Sequence, residues 1–550
     1  MLKSIFKRIQ RVWRMADINI EEFNTIKEGK AVVLTPKEDK VFYNPIQQFN
    51  RDLSVMGIKA WTELYMESKA GEREKANKKR KLDNGAEEKM EEKPFIKILE
   101  ALSATGLRAI RYGHEIPQVS KIVANDLLPE AVKSIDRNIE YNQLTDKVES
   151  NLGDAIKFMS STNEKFHVID LDPYGTATPF IDSAIQGIRD EGLLLVTCTD
   201  AGVLAGSGYP EKCFALYGGH NFGNSNVSGE ANHEAGIRLI LNMIATNAAK
   251  YKKTIEPLVS LSIDFYFRLL IKVKTSPIEV KQLASKTMLT YYCTGCGNKL
   301  NQPLGRVVES GKQNKKFQVP KLVNINSKCE YCEGNYNIAG PMWYGNLHNE
   351  EFINRMLKVN ADSDKEVYCT TERIKGMLTL AKNEMELPFY FNLNQLSSLF
   401  KSPPIPINDF CRSVGNLGYN VSLTHAKKNC IKTDAPWDVI LKINRQWLAE
   451  SNKALLKTYE QKLADSPENE TLLSKINFYK ENIDGNPNLT SGMVGYKILK
   501  NLPKNANDEV INFNDDNDVS QKINKLRHLK MVRYQENPTK NWGPKARPGK

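Results

Sequence analysis

The chain has 550 residues, 41% of them hydrophobic and 26% charged, and its 77 Lys+Arg against 65 Asp+Glu give a net charge of +12. That length exceeds one ordinary core, so two or three domains are expected, and the basic balance favours a polyanionic partner. No apolar run approaches the ~20 residues needed to span a bilayer, and nine cysteines scattered along the chain do not form a secreted disulfide framework.

Residues 1–15 carry Lys3, Lys7, Arg8, Arg11 and Arg14 with no acid before Asp17, while Leu2, Ile5, Phe6, Ile9, Val12 and Trp13 share one helical face. Such a basic amphipathic start reads as a mitochondrial targeting helix, with an ordinary surface helix as the alternative. Residues 19–66 read as a β/α segment packed on the next domain, with a hairpin followed by a helix from about Asn50. Phe42 and Tyr43 offer an aromatic lid there, and Arg51 is placed to face a site. Residues 67–93 are almost wholly polar and read as a linker. Within it, Lys78-Lys79-Arg80-Lys81 is a cluster of nuclear-import type, or a plain solvated charge run.

Residues 94–275 read as one domain, of which 94–200 alternate strand and helix, the sign of a parallel sheet. PFIKILEALSATGLRAIRYG reads as a strand ending at Glu100-Ala101, a small-residue turn to Gly106, and a helix from about Leu107. Such a turn lets a ligand approach the backbone at the positive end of a helix. KIVANDLLPEAV is a second strand ending at Asp126, an acid placed to hold two ribose hydroxyls. NLGDAIKFM gives a third strand end, with Asp154 and Ala155 positioned to touch an adenine amine and ring. FHVIDLDPYGT, residues 166–176, is a buried strand closed abruptly by Asp172-Pro173-Tyr174-Gly175.

That turn suits chemistry on a base amine. The Asp172 carboxylate and the Pro173 carbonyl can both accept hydrogen bonds from an exocyclic amine, and the Tyr174 ring can stack on the base. The amine is a weak nucleophile because its lone pair is delocalised. Two acceptors on its N–H groups turn that lone pair toward an electrophile and favour loss of a proton. Taken alone, the turn reads first as an Asp-Pro loop after any buried strand. Preceded by a glycine turn and two acid-bearing strand ends, it is the layout of an S-adenosylmethionine-dependent methyltransferase of nucleobase amines. A nicotinamide enzyme would more usually carry GxGxxG.

Further along, GLLLVTCTD (192–200) is another buried strand, and residues 257–274 read as the final antiparallel strands. His233-Glu234 opens a long amphipathic helix and reads as helix-start electrostatics rather than catalysis. Residues 276–445 form a second domain. Its Cys293/Cys296 and Cys329/Cys332 pairs, with 32 residues between them, fit a four-thiolate structural zinc site. Within it, two helices and a β-wing suggest a winged-helix-like RNA-contacting piece. Residues 446–520 read as a variable helical insertion. Residues 521–550 read as a basic tail, with Tyr534 and Trp542 between its cations, suited to a phosphate backbone.

The stretches VFYNPIQQFNRDLSV, ILEALSATGLRAIRYGHEIP, VANDLLPEAV, FHVIDLDPYGTATPFID, LVTCTD, GYPEKCFALYGG, AGPMWYG, SLTHA, TDAPWD and RYQENPTKNWGPKARP, with the two CxxC pairs, resemble the eukaryotic tRNA (guanine-26-N2)-dimethyltransferase family of fungal type. The resemblance implies two successive methyl transfers to guanine N2. It implies a Rossmann-like class I methyltransferase domain followed by an α+β, zinc-containing C-terminal tRNA-binding domain. It carries cofactor roles onto Arg51, Arg108, Asp126, Asp154 and Ala155, and the catalytic turn onto Asp172, Pro173 and Tyr174 with Phe42 as the other aromatic face. Archaeal members have Phe where this chain has Tyr174; stacking survives that change. Residence in nucleus and mitochondrion is implied as well, and a monomer is expected.

Overall fold

Seven apolar runs between 96 and 275 pair into one sheet, in a computed structural model that describes residues 19–37, 43–80, 93–310, 314–503 and 511–532. The expected targeting helix, Phe42, Lys81 of the basic cluster and the tail from 533 lie outside those residues. The strands are β1 (Ile96–Glu100), β2 (Val119–Asp126), β3 (Val148–Leu152), β4 (Phe166–Leu171), β5 (Ile188–Cys198), β6 (Lys253–Ile263) and β7 (Tyr266–Thr275). They lie in the order β3-β2-β1-β4-β5-β7-β6. The first five are parallel, and β7 runs antiparallel to both β5 and β6. Strand order reverses between β1 and β4, so their carboxyl ends open the crevice in which such sheets hold ligands.

The strands are apolar on both faces because both are covered. Ile98, Ile122 and Leu195 enter one core with Ile110, Ile135, Leu53 and Met56. Their chain neighbours Leu99, Val123, Leu194 and Val196 enter the opposite core with Ile181, Ile240 and Ile244. This two-residue alternation fixes which helices lie on which side. The amino-terminal hairpin, Phe23–Glu28 with Ala31–Pro36, caps the first face. There the Leu34 N–H donates to Asn138 Oδ1 at 2.8 Å, and Asn142 Nδ2 donates to the Val32 carbonyl at 2.6 Å.

The helix expected near Asn50 spans Gln48–Arg80. It continues through the first half of the stretch expected to be a linker from 67, because that stretch is rich in Glu, Lys and Ala, all strong helix formers. Arg355 anchors it through Glu63 and Glu67, at 3.0 and 2.8 Å.

The boundary expected at 276 does not divide the cores. A three-stranded sheet of Lys299–Pro303, Thr287–Cys293 and Tyr336–Trp343 sends Met288, Tyr292, Met342 and Trp343 into the core behind the helix Asn232–Lys250. The helices Glu350–Ala361 and Thr371–Asn383 send Phe352, Met356, Ile374 and Leu378 into the other. Only a third core is built entirely from the later chain, from Phe391, Phe410, Leu441, Leu448, Ile498, Ile523 and Leu526.

Two further boundaries move for the same reason. The helix Trp437–Asp465 runs straight across 445, and Ile498 makes the expected insertion part of the third core. The expected tail begins with a docked helix, Asp518–His528, whose Ile523 and Leu526 are buried and whose start is closed by a reciprocal cap between Asn517 and Ser520.

Buried charges lock the later chain to the sheet domain. Glu234 is held by Arg238 at 2.7 Å and Lys432 at 3.1 Å, and Lys432 reaches Glu384 at 2.8 Å. His425 joins through Nδ1 to Glu384 at 2.7 Å, while its Nε2 accepts from the Ser262 N–H. His233 Nδ1 meets Ser262 Oγ at 2.9 Å, so the His233-Glu234 pair is structural, as its position suggested. His348, Glu384 and His425 bring their ligand atoms within 4.8 Å of one another, but Lys432 already neutralises Glu384. Among the described residues no helix is long and apolar enough to cross a membrane.

Candidate active site

Four strand ends meet at the carboxyl edge of the sheet. After β1, Ala104 and Gly106 adopt left-handed backbone, with φ of 52° and 78°, and the helix Leu107–Glu115 begins directly. Asp126, closing β2, accepts the Ala104 N–H at 2.9 Å through Oδ2 and the Leu128 N–H at 3.0 Å through Oδ1. The carboxylate thus fixes the glycine turn while standing beside Leu127 and Leu128, which are exposed. Asn125, just before it, donates to the Ala101 and Gly153 carbonyls at 2.9 and 3.1 Å and ties the ends of three strands together. After β3, Asp154 caps the helix Ala155–Ser161 through Oδ1, accepting from the N–H groups of Ile156 and Lys157 at 2.8 and 3.0 Å. Ala155 is buried beneath it.

Asp172 follows β4 with its side chain 27% exposed and is bonded by Arg108 Nη2. Arg108 is buried; its Nη1 donates to Ser54 Oγ at 3.2 Å and lies 3.7 Å from Asp170. Asp170 is the hub beneath the turn. It accepts from Tyr112 at 2.5 Å and Arg268 at 2.9 Å, and Arg268 also donates to Thr197 and Ser54 at 2.8 and 2.7 Å. Burial pushes the Asp170 carboxyl upward, but the charges of Arg268 and Arg108 outweigh it and hold the group below the usual carboxylate range. Pro173 is buried and Tyr174 is 48% exposed at the rim.

Arg51 precedes Ser54, the Arg108 partner, by one helical turn. It is bonded through Nε and Nη2 to both oxygens of Glu28, at 2.6 and 2.5 Å. Burial raises the Glu28 carboxyl, and bonds and charge from Arg51 and Arg111 more than reverse this. Arg111 extends the cluster to Asp52 at 2.7 Å and Glu115 at 3.0 Å. The structure thus brings Arg108, Asp126, Asp154, Ala155, Asp172, Pro173 and Tyr174 to one edge, while Arg51 is bonded to Glu28 and to the Asn44 carbonyl.

Sequence reasoning did not single out Ser54, Asp170 or Arg268. Asp170 is a charge inside an apolar strand and Arg268 lies in FYFRLLIKVK. An ionisable group in such a run is the available signal, since it needs a buried partner.

Glu100 at the end of β1 is a further buried acid. It accepts from Ser103 Oγ and from the Ala109 N–H, the latter at 3.1 Å. Burial pushes its pKa from the ordinary 4.5 up to about 8, against the Ser103 bond and the Arg108 charge. A carboxyl raised in the folded state contributes stability that is complete below its unfolded value and lost as pH rises through the folded one. Wild-type Tm is therefore expected to fall between those two pH values more steeply than that of Glu100→Gln. Parallel Tm profiles would refute the shift.

Away from this edge, Cys293, Cys296, Cys329 and Cys332 are buried with all four sulfurs within 4.8 Å of one another. Cys293 and Cys332 are 3.3 Å apart, Cys296 and Cys329 3.6 Å. A tetrahedral site with bonds of ~2.3 Å needs sulfurs about 3.8 Å apart, which these approach. Gly295 and Gly334 leave the room. A Cβ on Gly295 would come within 2.9 Å of Cys332 Sγ, and one on Gly334 within 3.0 Å of Cys293 Sγ. The donor set and its cradle fit a structural zinc ion.

A sheet in this order, with an antiparallel seventh strand and its acids gathered at the β1–β4 edge, defines a Rossmann-like methyltransferase. Residues 16–445 match the family model described as N2,N2-dimethylguanosine tRNA methyltransferase. The chain is 50% identical to the mitochondrial tRNA (guanine(26)-N(2))-dimethyltransferase of Saccharomyces cerevisiae, covering 100% of this chain and 97% of that protein. It is 40% identical to the Schizosaccharomyces pombe enzyme over 96% of this chain and 93% of the relative. The human enzyme is 33% identical, over 96% and 78%. The solved structure of Trm1 from Pyrococcus horikoshii with S-adenosyl-L-methionine shares the fold with a TM-score of 0.60 at 24% identity, covering 76% of this chain and 99% of that one. The chain belongs to the N2,N2-dimethylguanosine tRNA methyltransferase family.

Proposed function

We infer that the chain transfers two methyl groups in succession from S-adenosylmethionine to the exocyclic N2 of guanine at position 26 of tRNA. The observation that carries the reading is the convergence of Asp126, Asp154 and the Arg108–Asp172 pair at the β1–β4 edge, in a chain of this family.

The pocket chemistry fits the cofactor. Asp126 offers acceptors for ribose hydroxyls beside the exposed apolar side chains of Leu127 and Leu128, which an adenosine would cover. Asp154, with Oδ1 given to its helix cap, keeps Oδ2 for an adenine amine over Ala155. Arg51 and Arg108, ion-paired here with Glu28 and Asp172, are assigned to the cofactor's carboxylate by the family resemblance. When bound, S-adenosylmethionine supplies an electrophilic methyl on its sulfonium.

Asp172 and the Pro173 carbonyl accept from the guanine amine and aim its lone pair, and Asp172 takes the proton. Arg108 fixes the orientation of the Asp172 carboxylate. Tyr174 stacks on a guanine that has left its helix, with Phe42 assigned to the other face. The monomethyl product turns its methyl away before the second transfer. A four-thiolate zinc site leaves no open position for substrate, so the metal's role is structural. The later chain is assigned to tRNA binding.

The mitochondrial name of the Saccharomyces relative and the basic pattern of residues 1–15 support mitochondrial residence, and the cluster at 78–81 supports nuclear residence. Nucleoside mass spectrometry of unmodified tRNA treated with purified protein and S-adenosylmethionine tests the substrate reading. N2,N2-dimethylguanosine is expected, and methylated adenosine would overturn the reading.

A further inference from the structure

The turn that carries Asp172, Pro173 and Tyr174 is open around Gly175. Gly175 has a φ of +82°, and a Cβ placed on it would meet nothing within 4 Å. Tyr174 projects with about half its surface exposed. Besides the Arg108 bond to Asp172, the Gly175-Thr176 end of the turn is held by hydrogen bonds to Thr199, which follows β5, and to Tyr217 on a helix beyond. The Gly175 N–H donates to Thr199 Oγ1 at 2.7 Å, and the Thr199 N–H returns to the Gly175 carbonyl at 2.8 Å. Thr176 Oγ1 and the Tyr217 hydroxyl lie 2.7 Å apart, and that hydroxyl is 2.8 Å from each oxygen of Asp200.

Tyr217 is buried at the end of the helix Pro210–Tyr217, so its ring is fixed independently of the turn. Asp200 follows β5, which pairs in parallel with β4, the strand that delivers Asp172. The proton order is determined by the acceptor. An ionised Asp200 can only accept, so Tyr217 donates to it and accepts in turn from Thr176. A hydrogen bond to an ionised acceptor is shorter and stronger than a neutral one. The chain therefore draws the Thr176 end of the turn toward a fixed point.

We propose that Tyr217 and Asp200 are positioning residues for methyl transfer, setting through Thr176 the placement of the Asp172-Pro173-Tyr174 turn against the base amine. This rests on the reading of that turn as the catalytic one. Transfer without covalent help depends on placing the reacting nitrogen to within a fraction of an ångström, so a turn released at one end should lose rate before it loses binding.

Tyr217→Phe keeps the ring in the core and removes only the hydroxyl. In the full-length protein it is expected to lower kcat by about tenfold, with KM for S-adenosylmethionine and for tRNA within about twofold of wild type. Thr176→Val, which also removes the Thr176 bonds to Thr178 at 3.2 Å, should lower kcat at least as much, and the double variant should be no slower than Thr176→Val alone, because the Tyr217 hydroxyl acts on the turn through Thr176. Asp200→Ala should match Tyr217→Phe, while Asp200→Asn, which keeps an acceptor oxygen, should recover most of the rate. Wild-type kcat in Tyr217→Phe, additive losses in the double variant, or kcat and both KM values shifting together with a lowered Tm would overturn the proposal. Asp172→Ala measured alongside separates the two claims. If it is inactive and Tyr217→Phe is normal, only the positioning role fails. If Asp172→Ala is itself near normal, the reading of the turn fails and this proposal with it.

Discussion

Asp172→Ala is expected to lower both methyl transfers by about 10²–10⁴-fold while leaving tRNA affinity near that of wild type. The carboxylate is the group at the β4 end able both to accept from the amine and to take its proton, and the Pro173 carbonyl can orient but cannot carry a proton away. Affinity should survive because, in the proposed reading, the side chain would meet a single base of a large polyanion. The substitution also removes a partner from the buried Arg108, which keeps Ser54 at 3.2 Å and Asp170 at 3.7 Å. A modest fall in Tm is expected from that loss, and it should not track the loss of rate. Asp172→Asn is a sharper test, because it keeps an acceptor oxygen without the base and brings an amide donor near Arg108. Its rate should stay far below that of wild type. Methyl-transfer kinetics with filter binding on the same preparations measure both quantities; near-normal transfer by Asp172→Ala would refute the role.

Loss of the metal should have the largest effect on stability. The four cysteines belong to the same apolar cluster as Phe391, Leu396, Phe410 and Leu441, so the sulfurs are part of the third core's wall. They also join residues far apart in sequence, across a strand pair in which Cys293 faces Tyr336. A structural zinc ion contributes ~10–16 kcal/mol to the folding of small zinc domains near neutral pH. Even a fraction of that, spread over a larger core, should lower Tm by roughly 10 °C or more on chelation. Purified protein is expected to hold about one zinc per chain, and Cys329→Ser should lose both the metal and the third core's cooperative melt. A metal-free preparation with an unchanged Tm would show that the cluster is held by packing alone.

The central strands of the sheet were legible in the sequence because each is a short apolar run stopped by a residue that ends pairing, whereas the edge strand Val148–Leu152 is mostly polar. Glu100, Asp126 and Leu171-Asp172-Pro173 stand at or beside such ends, and the structure ends β1, β2 and β4 there. The candidate site was legible for the same reason, since an acid after a buried strand has few reasons to be there other than a ligand or a cap, and Asp154 serves a cap as well.

What was not legible depends on distant partners. Asp170 gains its charge balance from Arg268, 98 residues on, and no local pattern announces that pairing. Glu28, Arg51 and Arg111 form one buried cluster from three separate elements. The helix Asp518–His528 looked like tail because its two buried apolar residues, Ile523 and Leu526, stand three apart in a basic stretch and reach a core that includes residues from Phe391 to Ile498. Helix propensity overrode polarity in residues 67–80, where charge suggested a linker.

The central claim is that the Asp172 turn methylates guanine N2 in tRNA. The measurement that tests it most directly is nucleoside mass spectrometry of unmodified tRNA after treatment with wild type or Asp172→Ala. N2-methylguanosine is expected to appear first and N2,N2-dimethylguanosine to accumulate from it with wild type, and neither with Asp172→Ala. Dimethylguanosine formed equally by both proteins, or methyl groups found on another base, would contradict it.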